Sequence, residues 1–459
     1  MTTSNKKWGG MKHTPRTLAV QILDRVEEGA FAQPLLDAYL ARNLLPVPQD
    51  RGLLTQLVYG TLRLRNRIDW VIRAVYNRPF DLMEQRLRNI LRVALYQIMC
   101  ADRVPAYAAT NEAVEMAKGR RPGWSNLVNA ILRNAARKMD AIAWPSFDDD
   151  PLSHISVVHS HPLWLVRLWV EQLGLDETRD LCESNNTIPP LTVRTNRLKT
   201  DRPTLITRLT EYGCNAVPSR YAPDGIIFSD LPGPVREFPL FREGEMQIQD
   251  EASQMISLLV DPKPGETILD VCAGAGIKTT HLAQLTKNSG RIVAMDISRA
   301  KIESLQALAR RLGVTIIEPI VHDATQNPPE RLRGQFDRVL VDVPCSGLGT
   351  LRRNPEIRWH TAPEDLAAFP PLQREILNRS ACYVKGGGTL VYSTCTISSA
   401  ENEMIIRGFL AENPNFACLR PETVPAAMRD EAGMFRTFPH RHRTDGFFGA
   451  VLKKKEDTP

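Results

Sequence analysis

From about residue 246 onward, short apolar runs alternate with stretches of helical spacing. Apolar runs fall at 267–271, 291–295, 316–321, 337–341, 389–392 and 447–452, the last just after the turn pair Asp445-Gly446. Between them lie helical stripes such as Ile302, Leu305, Ala309 and Leu312, which Gly313 ends. Apolar runs without polar alternation suit strands covered on both faces, and strands that alternate with helices need crossover connections. The pattern predicts an α/β domain with a largely parallel sheet over 246–455.

The 459 residues leave room for further domains at about 150 residues each. Residues 13–140 read as helical throughout, and 141–150, without helical period and ending Asp148-Asp-Asp150, read as a linker. Thr14-Pro15 supplies an N-cap and a proline at the first helical position. Stripes follow at Leu18, Ala19, Ile22, Leu23 and Val26, at Leu53, Leu54, Leu57, Val58 and Leu62, at Leu87, Ile90, Leu91, Ala94, Leu95 and Ile98, and at Leu127, Val128, Ile131, Leu132 and Ala135. Stripes this wide bury against one another, which predicts a helix bundle. Arg86, Arg88 and Arg92 are expected on the far face of the third stripe. Residues 146–245 mix short elements and read as a small α+β module: a helix near 162–173, strands near 191–195, 215–219 and 225–229, and a helix near 204–212. Residues 1–12 read as a disordered tail.

Charge is uneven. Residues 1–145 carry 22 Lys+Arg against 12 Asp+Glu, a net +10, which leaves −4 for the remainder of a chain at +6. Local positive excess is the footprint of a polyanion partner. No stretch of about 18 uninterrupted apolar residues is present, which excludes a spanning helix. Eight scattered cysteines without a C-x-x-C pair predict a reducing, cytoplasmic setting with no zinc site and no disulfide scaffold, most of the thiols being core residues.

The strand ends carry the chemistry. In open α/β sheets ligands bind at the carboxyl ends of the strands. The first run leads into Asp270-Val-Cys-Ala-Gly-Ala-Gly-Ile-Lys278. Ile277 before Lys278 breaks a phosphate loop, and Thr279 stands where a dinucleotide fingerprint needs its third glycine. A nucleoside without phosphates fits better. Asp296, 26 residues after Asp270, ends the second run, placed to accept ribose hydroxyls. Asp323 follows the third, placed to reach an adenine amino group. Together these match S-adenosylmethionine, although an acid after a strand also serves as a plain helix cap.

The fourth run ends Asp342-Val-Pro-Cys345 and the fifth ends Ser393-Thr-Cys395. Two thiols and a carboxylate at adjacent strand ends are the parts needed to methylate C5 of cytosine. That carbon becomes nucleophilic only after a thiolate has added to C6. A carboxylate near N3 eases the addition, and a further group handles protons. The residues alone leave open which cysteine is the nucleophile.

The run from Gln249-Asp-Glu-Ala-Ser253 through Asp342-x-Pro-Cys-Ser-Gly, Arg352-Arg-Asn-Pro355 and Ser393-Thr-Cys-Thr to Asp445-Gly-Phe-Phe448 resembles the RNA cytosine-C5 methyltransferase family. Within it the chain is similar to the bacterial 16S ribosomal RNA enzymes of the Fmu/Sun type, over about 13–453. Asp50-Arg-Gly-Leu-Leu and Tyr59-Gly-Thr-Leu-Arg63 resemble a NusB-like RNA-binding domain. His161-Pro-Leu-Trp-Leu-Val166 and Arg194-Thr-Asn-Arg-Leu-Lys199 resemble a small RNA-recognition-like module. The resemblance implies a multidomain chain: a NusB-like all-α bundle over 13–145, the α+β RNA-binding module over 146–245, and a Rossmann-like class I S-adenosylmethionine-dependent methyltransferase domain over 246–455.

The resemblance further implies that Cys272, Ala273, Gly274, Ala275, Gly276, Ile277, Lys278, Asp296, Asp323 and Asp342 line the cofactor pocket. It makes Cys395 the nucleophile and Cys345 the group that assists product release. The implied partner is RNA, with 16S ribosomal RNA as substrate; DNA and membrane are not expected, and the chain is expected to be a monomer. Transfer RNA as substrate, and a non-catalytic antitermination-like factor with a degenerate core, are the alternatives. The family's loop usually reads Cys-Ala-Ala-Pro-Gly-Gly-Lys. Here Gly274, Ala275 and Ile277 replace Ala, Pro and the second Gly, and a β-branched residue at 277 would be strained if that position needed a positive φ. Arg352, Arg353, Arg358 and Trp359, in the loop after the fourth run, are expected to grip phosphates and stack a base.

Overall fold

A computed structural model describes residues 13–100, 104–230 and 233–456; the tail expected over 1–12 lies outside them. The chain divides into two compact units. One comprises the described residues up to Thr187 together with Arg353–His360; the other comprises Ile188–Arg352 and the chain from Thr361 onward.

The first unit is helical. Its bundle consists of Pro15–Glu27, Ala32–Ala41, Pro48–Arg63, Arg65–Val75, Gln85–Cys100, Ala106–Ala117 and Trp124–Lys138. The expected stripes form one core, in which Leu18, Ile22, Leu54, Leu57, Leu91 and Leu132 are at most 1% exposed. The first helix starts as its sequence dictates: the Thr14 hydroxyl accepts from the Thr17 amide and Pro15 takes the first helical position. The arginines of the third stripe are not a free outer face. Arg92 is buried and makes a two-pronged bond to Asp69, Nε to Oδ1 at 2.7 Å and Nη2 to Oδ2 at 2.8 Å, with a further bond to Glu27. Arg86 reaches Asp24 and Arg88 reaches Glu27. Carboxylates paired in this way offset the cost of burying a guanidinium.

Three more helices, Pro151–Val158, Leu163–Leu173 and Leu175–Asn185, belong to this unit. So does the short segment Arg353–His360, in which Arg358 is buried, against the expectation that it grips RNA, while Arg353 and Trp359 are half-buried. Arg358 is fully buried and donates to Ser160 O at 3.1 Å, Asn186 Oδ1 at 2.9 Å and Asn185 O at 3.2 Å. The Trp359 indole donates to Leu62 O at 2.8 Å, and the Glu356 carboxylate accepts from the Ala32 amide at 2.8 Å. Arg358 is thus spent on buried backbone and side-chain acceptors, which leaves it no exposed donor for a phosphate. Arg352, in the second unit, is also buried, bonded to Arg443 O and paired with Asp445.

The second unit holds two sheets. Strands β1 (Leu191–Thr195), β2 (Asn215–Pro218), β3 (Gly225–Ser229) and β4 (Met246–Ile248) form an antiparallel sheet in the order β2-β3-β1-β4. The second sheet is built from β5 (Thr267–Asp270), β6 (Arg291–Asp296), β7 (Ile317–Val321), β8 (Phe336–Asp342), β9 (Val384–Thr394), β10 (Phe416–Leu419), β11 (Phe435–Arg436) and β12 (Phe448–Lys454). Its order is β10-β12-β9-β8-β5-β6-β7, with β11 paired to β12. The five strands β5 to β9 pair in parallel, and β12 closes antiparallel on β9. The chain winds from β5 out through β6 to β7, then returns to the other side of β5 as β8. The β5/β8 gap is therefore the topological switch point, where a crevice opens at the strand ends.

Among the described residues no group of three or more His, Cys, Asp and Glu could hold a metal ion, and no helix is long and apolar enough to cross a membrane. All eight cysteines are free; Cys182 and Cys214 are buried, Cys272, Cys395 and Cys418 are half-buried against apolar cores, Cys345 is half-buried, and Cys100 and Cys382 are exposed.

Candidate active site

The turn after β5 is shaped by two glycines in the left-handed region, Gly274 at φ +56° and Gly276 at φ +84°. A Cβ on Gly276 would lie 2.6 Å from Leu305 Cγ, so this position demands glycine. A Cβ on Gly274 would meet nothing within 4 Å, which leaves the backbone open to a ligand. Ile277 opens the helix Ile277–Leu285 and does not share the positive φ; Gly276 carries it as N-cap. The strain anticipated at position 277 is therefore absent.

Carboxylates surround this turn. Asp296, at the end of β6, accepts from the Gly274 amide at 2.9 Å and the Ser298 amide at 2.8 Å, so it both holds the turn and fronts the crevice. Asp323 accepts from the Thr325 amide at 3.0 Å and hydroxyl at 2.8 Å, and the amide bond holds its carboxyl below the usual range. It thus caps a turn as well as standing beyond β7. Ala273 is buried, with its amide donating to Met295 O at 2.8 Å, and burial pushes the Cys272 thiol up.

One acid was not singled out in the sequence. Asp270 is 1% exposed; its Oδ2 accepts from the Thr279 hydroxyl at 2.6 Å, while its buried Oδ1 has no protein partner. Burial raises its carboxyl to about 7. An unmatched buried acceptor beside an open glycine turn calls for a donor from a ligand. An α-amino group and ribose hydroxyls supply such donors, so the residues present fit S-adenosylmethionine.

Across the switch point, Lys278 Nζ lies 2.5 Å from Asp342 Oδ2, and the Ser393 hydroxyl donates to Asp342 Oδ1 at 2.7 Å. Burial lowers the affinity of Lys278 for its proton, but Asp342 outweighs it and the ammonium is held above its usual range. The ammonium also lies 5.3 Å from the centre of the Phe447 ring. Asp342 pairs with Ser393 in the β8/β9 register, which brings the following turns side by side. As a result Cys345 Sγ and Cys395 Sγ are 3.3 Å apart. The hydrogen bond with Cys395, then burial, pushes the Cys345 thiol well up. The structure therefore brings Asp342, Cys345 and Cys395 together at the carboxyl ends of adjacent strands, beside the topological switch point.

A parallel sheet reversed at its middle, a glycine turn ringed by strand-end acids and a neighbouring pair of thiols define a class I methyltransferase core. Three family models match the chain: 16S rRNA methyltransferase RsmB/F over residues 257–453, the NusB family over 13–137, and the RsmF/B-like ferredoxin-like domain over 161–235. The chain is 37% identical to the probable ribosomal RNA small subunit methyltransferase B of Bacillus subtilis, covering 97% of this chain and 99% of that one. It is 33% identical to ribosomal RNA small subunit methyltransferase B of Klebsiella pneumoniae, covering 96% and 98%. The crystal structure of PH0851 superposes with a TM-score of 0.81 at 30% identity, covering 97% of this chain and 100% of that one. NSun6 from Pyrococcus horikoshii with SFG shares the fold, at TM-score 0.60 and 22% identity over 65% of this chain and 100% of that one. The chain belongs to the RsmB/F family of 16S rRNA methyltransferases. It is an S-adenosylmethionine-dependent RNA methyltransferase with a NusB domain and a ferredoxin-like module.

Proposed function

We propose that this enzyme methylates C5 of one cytosine in 16S ribosomal RNA, with Cys395 as nucleophile. The observation that carries the reading is the 3.3 Å approach of Cys345 and Cys395 beside Asp342 at the switch point. The Cys395 thiolate adds to C6 of a base that has left its stack, and electron density moves to C5. Asp342, oriented by Lys278 and Ser393, faces the N3/amino edge of the base and carries the proton that the ring takes up. When bound, S-adenosylmethionine supplies an electrophilic methyl group, which C5 takes. The C5 proton then leaves to a base, the C6–sulfur bond breaks, and the ring returns to Asp342 the proton it had taken up. Cys345, held as a thiol, donates its hydrogen to the departing Cys395 sulfur.

In this reading Asp296 holds the ribose hydroxyls, Asp323 the adenine edge, and the 272–278 turn with Asp270 the methionine end of the cofactor. The enzyme works as a cytoplasmic monomer on RNA. The family membership and the NusB domain favour ribosomal RNA over transfer RNA. Bisulfite sequencing of 16S ribosomal RNA tests the substrate: a strain lacking the gene loses one protected cytosine, and plasmid-borne enzyme restores it. An unchanged 16S pattern, with a cytosine lost from transfer RNA instead, would overturn the choice of substrate.

A further inference from the structure

A buried carboxylate outside the strand ends ties the two cysteine turns together. Glu401 is 1% exposed. Its Oε1 accepts from the Ser346 hydroxyl at 2.5 Å and the Thr396 hydroxyl at 3.3 Å. Its Oε2 accepts from the Ser346 amide at 2.9 Å and the Gln373 side chain at 3.0 Å. Ser346 follows Cys345 and Thr396 follows Cys395, and their hydroxyls are 2.8 Å apart. Gln373 also donates to Pro344 O at 3.0 Å, just before Cys345. The Glu401 carbonyl accepts from the Tyr392 hydroxyl at 2.6 Å, on the strand that ends at Cys395. Buried carboxylates persist only where donors fill their lone pairs. Here three of the four donors to the carboxylate come from the residues next to the two cysteines.

We propose that Glu401 is a positioning residue for methyl transfer: it locks the Pro344–Ser346 turn to the Cys395–Thr396 turn and so sets the separation of the two thiols. The proposal rests on reading Cys345 and Cys395 as the working pair. Both turns follow their strands as irregular backbone: the β8/β9 pairing ends at Asp342 and Ser393, and beyond it the Gly349 amide donates to Cys395 O at 3.0 Å. The carboxylate adds a second tie, on the residues that directly follow the two cysteines. Its charge also adds to the influences that keep Cys345 protonated, behind the Cys395 hydrogen bond and burial.

The test compares Glu401→Gln with wild type in the full-length enzyme. Diamide joins two nearby thiols as a disulfide while its N=N bond takes up the two hydrogens, so the closure rate of Cys345–Cys395 reads their geometry without RNA. We expect closure about tenfold slower in Glu401→Gln, and kcat about 10²-fold lower because misplacement of reacting groups by about 1 Å costs that much. KM for RNA and cofactor should stay within about threefold, the mark of an interaction used in the transition state. Ser346→Ala, which removes one partner of the carboxylate, should show the same split if Glu401→Gln does not fold. Wild-type kcat, a loss confined to KM, or unchanged disulfide closure would overturn the proposal. If Cys395→Ala still methylates RNA, the underlying reading has failed instead, and the closure rate alone decides whether Glu401 sets the thiol geometry.

Discussion

The sulfur atoms of Cys345 and Cys395 stand 3.3 Å apart although 50 residues separate them in the chain. Paired parallel strands bring them together, and the hydrogen bond with Cys395, then burial, pushes the Cys345 thiol well up. This asymmetry predicts different phenotypes for the two cysteines. Cys345→Ala leaves the nucleophile in place but removes the hydrogen for the departing sulfur. Its turnover should fall about 10²-fold, the scale of a lost proton donor, while RNA stays covalently attached. Denaturing gels should show a slow-migrating protein–RNA band in this variant. Normal turnover without that band would remove Cys345 from product release.

Asp342 and Lys278 form a partly buried ion pair, with side chains 25% and 14% exposed. Asp342→Asn keeps the shape but removes the charge. It should lower the methyl-transfer rate by about 10²- to 10⁴-fold, as for a lost acid–base group. It should cost only about 1–2 kcal/mol in stability, less than a fully buried pair because water reaches both groups. Single-turnover methyl transfer and denaturant melts measure the two effects separately.

Asp270 gives a pH signature. Its carboxyl is raised to about 7 in the folded chain, against about 4 when unfolded. Between those values the native state holds a proton that the unfolded state has lost, so stability is highest below pH 4 for this group and falls as pH rises toward 7. The slope approaches about 1.4 kcal/mol per pH unit for one proton. Asp270→Asn should flatten the pH dependence of unfolding over this window. Cofactor affinity in that variant should also fall above pH 7, where the wild-type carboxylate is ionised and offers its donor a negative charge that the amide lacks.

Arg358 distinguishes a structural side chain from an RNA contact. Its guanidinium is fully buried against three acceptors, and burial lowers it to about 9. Arg358→Ala should lower stability by about 2–5 kcal/mol, because it leaves buried neutral acceptors unpaired at about 1–3 kcal/mol each. RNA affinity, measured on the folded fraction, should not change. Weakened RNA binding with wild-type stability would restore the phosphate-gripping reading.

The parts of this molecule legible in the sequence are those set by local pattern. The helical stripes, the Thr14 cap and the six apolar runs of the large sheet depend on neighbours a few residues away. Strands β4 and β11 span three and two residues and are strands only because other strands pair with them, so no periodicity marks them. Asp296 and the thiols were legible because strand ends concentrate chemistry. Arg358 was misread because its acceptors lie more than 170 residues away, and Arg92 because Asp69 is on another helix. Glu401 gave no signal, since its partner Ser346 is 55 residues distant and an acid before a helix looks like surface.

The central claim is that Cys395 attacks the target base, and methyl transfer from tritiated S-adenosylmethionine to unmodified 16S ribosomal RNA tests it most directly. Wild type should label one cytosine at C5, and Cys395→Ala, folded and still binding the cofactor, should label none. Persistent labelling by Cys395→Ala at a rate within about tenfold of wild type would contradict the account, because a residue that forms the covalent bond cannot be dispensed with at so small a cost.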